Sequence, residues 1–183
     1  MSWRNIRPVG AIALGVLLLL ASWIGPAIWK GRLRREQAYA RAGGQALVQA
    51  AMHFYADYGV WPTARQGPPH DCRFGGDLRN GEVVNVLRAV DGPGNASHAV
   101  NPNRTVYFNP PAYRPSRPGL DHRGDFLDSW GTAYQVALDS NLSGICEVEN
   151  SVYDGQIDVG VLVWSCGPDR RSDTLDDLLS WKP

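Results

Sequence analysis

The closing segment Val163–Trp181 reads VWSCGPDRRSDTLDDLLSW and places Asp169, Asp173, Asp176 and Asp177 within nine residues of one another. Carboxylates at this density repel one another unless water or a positive group separates them. Two readings follow: a solvated acidic turn, in which Arg170 and Arg171 partly neutralise the cluster, or oxygen ligands gathered around a cation. The spacing is not that of an EF-hand, because the alternating D-x-[DN]-x-[DN]-G pattern is missing.

Other reactive side chains form no catalytic pattern. His53, His70, His98 and His122 are scattered. The tripeptide His70-Asp71-Cys72 cannot by itself bring a nucleophile, a base and an orienting group into mutual hydrogen-bond geometry. Ser165 closes a strand-like run but lacks the G-x-S-x-G turn. Asp121, Asp125, Asp128 and His122 make a second acidic patch, which reads by default as a solvated loop. The three cysteines, Cys72, Cys146 and Cys166, have no C-x2-C spacing. A Cys146–Cys166 bridge and buried free thiols both remain open. No enzymatic motif is present, no small-molecule substrate is evident, and the chain is expected not to be an enzyme.

The elements that must position these residues follow from patterning. The chain has 183 residues and a formal net charge of zero, which suits one domain and offers no basic field for nucleic acid. Residues 8–29 carry no charge and are long enough to cross a bilayer as a helix, after a short segment 1–7. Bulky residues after the apolar core argue for a retained anchor over a cleaved signal. From Glu36 to Tyr58, Leu47, Ala51, Phe54 and Tyr58 line one helical face, and Gly59 and Pro62 end the helix. The pair Gly43-Gly44 predicts a kink. Trp61–Asp77 and Pro110–Asp128 read as loops. Val83, Val86, Leu87 and Val90 predict a short helix. Strands are expected at Thr105–Phe108, at Tyr134–Leu138 with alternating burial, and at Val159–Trp164 buried on both sides. The fold class is therefore α+β: a long N-terminal, partly transmembrane helix packed on a small antiparallel sheet, with a C-terminal acidic loop.

Several strings resemble the type IV pilin superfamily, above all the major pseudopilin of type II secretion systems and its pilin-like relatives. Ala21-Ser-Trp-Ile-Gly-Pro26 is similar to the late transmembrane helix of that family. Ala46 to Pro62 resembles its helix end, Asn101-Pro102 with Val106-Tyr-Phe108 its Asn-Pro-Arg stretch, and Asp128-Ser-Trp-Gly-Thr-Ala-Tyr134 its Asp-Pro-Trp-Gly-x-Pro-Tyr signature. Val163–Asp169, Thr174 and Asp177-Leu178 resemble its closing Ser-x-Gly-x-Asp-Gly…Thr-x-x-Asp-Ile…Trp. The matches run in order from about residue 21 to 181. At the front the chain departs from the pattern: Arg4 stands where the family has the leader Gly, Asn5 at the new N-terminus, and Val9 in place of the Glu.

The resemblance implies a structural pseudopilin subunit of a type II secretion or type IV pilus-type machine. Its partners would be the membrane and other pilin-like or secretion-system components. It would sit in the inner membrane by a single pass, with residues 30–183 extracytoplasmic. That placement outweighs the count of basic residues after the span, which points the other way. The resemblance also implies calcium in the closing loop. Asp169 and Asp177 are the matched ligand positions and Asp173 and Asp176 supplementary ones, with backbone carbonyls near Ser165–Gly167 and Ser172 completing an oxygen shell. The alternative is a membrane-anchored extracytoplasmic binding domain on the same scaffold that does not polymerise. Trp61 and Trp130 are expected to anchor the core, and Trp181 to pack the chain end onto the sheet.

Overall fold

The computed structural model describes residues 6–67, 70–147 and 156–182, with side chains at Pro26 and from Ile28 onward, Gln156 excepted. The helix α1 spans Ile6–Tyr58 and contains Pro26. Two compact units divide the chain, Met1–Arg35 and Glu36–Pro183. In the first, Ile28 and Trp29 are exposed. The predicted span 8–29 lies almost wholly outside the described side chains; among the described residues no helix is long and apolar enough to cross a membrane.

The second unit is α+β, with the C-terminal part of α1 packed on a small antiparallel sheet. After α1 come β1 (Cys72–Phe74), α2 (Gly81–Leu87), a 3-10 turn (Ala96–His98), β2 (Gly119–Leu120), β3 (Phe126–Leu127), β4 (Gln135–Leu138), β5 (Cys146–Glu147), β6 (Gln156–Ile157), β7 (Val161–Ser165) and β8 (Leu178–Leu179). The main sheet runs β1-β4-β7-β8, and β2-β3 and β5-β6 form separate pairs. Every pairing is antiparallel, with Val136 opposite Val163 and Trp164 opposite Leu179.

The predicted helical face is buried: Leu47, Ala51 and Phe54 enter the main core with Phe74, Tyr134, Val136, Leu138 and Val163. Burying a side chain of this size contributes roughly 1.5–3 kcal/mol, so this seam holds helix to sheet. Gly43 and Gly44 serve that seam. A Cβ on Gly43 would stand 2.5 Å from Tyr134 Oη and 3.2 Å from Pro118 Cβ, and one on Gly44 3.6 Å from the Tyr134 ring. The glycines admit a tyrosine.

Three expectations are corrected. No strand forms over 105–108. The amides of Tyr107 and Phe108 both donate to Leu87 O, at 2.8 and 3.1 Å, so the segment caps the end of α2 rather than joining a ladder. Buried Asn101 fixes it there: Nδ2 donates to Val86 O and Thr105 O, while Oδ1 accepts from the Tyr58 hydroxyl and the Thr105 amide. The second correction concerns β4, which is buried on both faces. It is an interior strand, and a second cluster of Ala137, Cys146, Leu162 and Trp164 covers the side away from the main core. The third concerns the two segments read as loops, which carry β1 and the β2-β3 pair.

Other expectations stand. The short helix forms, ending at Leu87. Strand β7 is buried throughout, but it begins at Val161, and Val159, expected within it, is exposed outside it. Trp61 is buried, while Trp130 is only partly so. The Trp181 ring meets Trp164 edge-on at 5.9 Å, folding the chain end onto the sheet. All three cysteines are free, with Cys146 and Cys166 buried.

Candidate metal site

The closing loop leaves the sheet at the end of β7 and returns as β8, whose Leu178 pairs with Ser165. Its root is polar and buried. Ser165 Oγ donates to Asp128 Oδ2 at 2.6 Å and accepts from the Gly167 amide at 3.2 Å. Gly167, at φ 64°, lies against the Asp176 backbone so closely that a Cβ there would strike the Asp176 carbonyl oxygen. That crossing brings Asp169 beside Asp176 and Asp177.

One carboxylate oxygen from each of Asp169, Asp176 and Asp177 lies within 4.8 Å of the others. Local hydrogen bonds orient them. Asp176 Oδ2 accepts from the Asp169 amide at 3.1 Å and Oδ1 from the Thr174 hydroxyl at 2.8 Å. Asp177 Oδ2 accepts from the amides of Asp173 and Thr174, at 2.9 and 3.4 Å. Asp169 Oδ1 accepts from the Arg171 amide at 2.8 Å. Asp173 is placed differently: it sits at φ 69°, and its Oδ1 is buried without a hydrogen-bond partner among the described residues.

The carboxyls are driven in opposite directions. Burial acts to raise Asp176, but the Thr174 hydroxyl and the Asp169 amide outweigh it and hold the group below the usual carboxylate value. Burial raises Asp177, opposed by the Thr174 and Asp173 amides and by the charge of Arg73. The cation acting on this cluster is therefore Arg73, from β1. Arg170 and Arg171 form no ion pair with it among the described residues. Nothing local in the sequence pointed to Arg73, because tertiary pairing carries it there: its Nη2 donates to Ser172 Oγ at 2.8 Å across 99 residues, and its guanidinium lies 4.8 Å over the Trp164 ring.

Three clustered carboxylates match the donor preference of a hard divalent cation, which takes six to eight oxygens. The residues present fit calcium. Asp169, Asp176 and Asp177 would hold it, and the ion would supply charge neutralisation and tie the loop across its own crossing. Of the four aspartates singled out in the sequence, three converge and Asp173 stands outside the triad.

Several of the remaining sequence candidates are engaged in local hydrogen bonds. Asp128 is buried and accepts from Trp130, Thr132 and Ser165. Asp125 accepts from Arg79 and the Gly81 amide, and Asp121 from the Arg123 and Asp125 amides. Asp71 accepts from the Glu147 amide at 2.6 Å, and the Cys72 amide donates to Ser140. Ser165 is bonded to a carboxylate, and among the described residues no histidine hydrogen-bonds to it. Compared with known proteins, the chain matches no family model, no curated protein and no solved structure.

Proposed function

We propose that the chain is a structural pilin-like subunit of the pseudopilin type, serving a type II secretion or type IV pilus-type machine. Residues 8–29 anchor it in the inner membrane, residues 30–183 stand on the extracytoplasmic side, and calcium occupies the closing loop. The observation that carries this reading is the closing loop itself: a β7-β8 clasp whose Asp169, Asp176 and Asp177 converge, on a sheet covered by the end of a long N-terminal helix. That arrangement agrees with the ordered series of strings from residue 21 to 181. Its role is to present a rigid surface on a helix that can pack against copies of itself or related subunits.

A second reading is favoured by Arg4 and Val9, which replace the leader Gly and the buried Glu of the pilin pattern. In that reading the chain is an anchored binding domain that does not polymerise. Intact mass of the protein purified from its native membrane separates the two. Loss of residues 1–4 with a methylated new N-terminus supports the filament subunit. A full-length mass, or one lacking only the initiator Met, sinks it in favour of the anchored domain.

A further inference from the structure

A cleft of about 480 Å³ opens between the turn after β1, the start of β4 and the closing loop. Arg73, Asp77, Gln135, Cys166, Arg170 and Ser172 line it, and Gly75 and Gly76 form its rim. Its volume falls within the range of small-ligand sites.

Three polar groups in this cleft, Arg73, Ser172 and Gln135, are held before any ligand arrives. Arg73 is held by stacking on Trp164 and by its bond to Ser172. Ser172 Oγ accepts from both Arg73 Nη2 and Trp164 Nε1, at 2.8 and 3.2 Å, so its own proton is left to donate. Gln135 is 6% exposed. Its Nε2 donates to Gly75 O at 2.8 Å and Ala133 O at 3.3 Å, and Oε1 accepts nothing among the described residues. Oε1 is turned toward the rim, 3.9 Å from where a Cβ on Gly76 would stand. A nearly buried amide whose donors are both used therefore presents its acceptor to the cleft.

The lining is thus divided. Two guanidiniums and a hydroxyl donate, which suits a carboxylate, since arginine matches that group's planar geometry. An amide oxygen and the Asp77 carboxylate accept, which suits an N–H or ammonium group. Cys166 contributes no charge, because burial pushes its thiol up to about 11. We propose that the cleft binds a molecule carrying a carboxylate next to an N–H donor, the chemistry shared by a free amino acid and a peptide C-terminus.

The test is calorimetric titration of the full chain in detergent, in a buffer free of carboxylate and phosphate. Three probes are used: L-alanine, N-acetylglycylalanine, and the C-terminal amide of that dipeptide. Saturable one-to-one binding is expected for at least one carboxylate probe, and whichever binds tighter assigns the source. The amide is expected to bind about tenfold more weakly than its acid, and Arg170→Ala to weaken the carboxylate probes by a similar factor. Arg170 is exposed, so its truncation leaves the fold in place, which an unchanged melting curve verifies. Absence of saturable binding by both carboxylate probes overturns the proposal. So does binding that amidation or Arg170→Ala leaves undiminished.

Discussion

The Tyr134 hydroxyl donates to the Ala40 carbonyl at 2.7 Å, joining the residue just before β4 to α1 across 94 residues of chain. Tyr134 is fully buried and its ring stacks on Phe126 at 4.8 Å. The side chain reaches the helix only because Gly43 and Gly44 leave room for it. Gly43→Ala, which on helix propensity alone gains about 1 kcal/mol, is expected instead to destabilise by about 1–3 kcal/mol through overpacking. Tyr134→Phe is expected to cost about 1 kcal/mol. The double variant is expected to be more stable than the sum of the two predicts. Urea unfolding of the four proteins checks this, and strict additivity would show that the hydroxyl and the glycine do not share one space.

Calcium is expected to raise the melting midpoint by about 5–10 °C over chelator when present at roughly a hundredfold excess over its dissociation constant. Asp176→Asn and Asp177→Asn should each abolish the shift, while Asp173→Asn, outside the triad, should keep most of it. Differential scanning calorimetry of the full chain reads all four cases. An unchanged midpoint in calcium with the parent sequence removes the metal from this loop.

Burial pushes the Asp128 carboxyl above its ordinary value of 3.8, against the hydrogen bonds it accepts from Ser165, Thr132, Trp130 and Gly131. The folded state then holds this proton more tightly than the unfolded chain does. The stability it contributes is present at low pH and declines as pH rises from 3.8 through the higher folded value. Asp128→Asn should flatten that part of the pH dependence, which begins near the ordinary value of 3.8 and extends upward from it. Asp128→Ala, which also orphans the Trp130 and Thr132 amides, should cost about 2–3 kcal/mol. A steeper decline in Asp128→Asn than in the parent would contradict the direction of the shift.

Thiol labelling should discriminate the cysteines. Cys72 is partly exposed, whereas Cys146 and Cys166 are buried. Burial, with the charges of Asp71 and Asp139, pushes the Cys146 thiol well above its ordinary value, and burial followed by the charge of Asp128 raises Cys166. Thiolate is the reactive form. Native protein should therefore label at Cys72 alone, with the other two appearing only on unfolding. Mass spectrometry after alkylation reads the sites, and native labelling at Cys146 would show that the second core cluster opens.

Local pattern in the sequence determined the α+β class, the helix ending at Tyr58, its buried face through Leu47, Ala51 and Phe54, and the doubly buried β7. These follow from periodicity and from Gly and Pro, whose effects are felt within a few residues. Their density also marked the closing aspartates as either a solvated acidic turn or cation ligands. Tertiary structure decided what depends on partners distant in the chain. Thr105–Phe108 has β-prone residues but turns its amides to Leu87, because Asn101 ties it to the ends of both helices. β4 alternates as a half-buried strand does, yet lies inside the sheet with a second cluster over its other face. Gly43-Gly44 looks like a helix weakness and is the seat of Tyr134. Asp176 joins Asp169 and Asp177 while Asp173 does not, because the crossing at Gly167 sets which carboxylates meet. Arg73 reaches Ser172 and Trp164 only through the pairing of β1 with β4 and of β4 with β7. Spacing along the chain records none of these, since each is fixed by packing between segments that the sequence holds far apart.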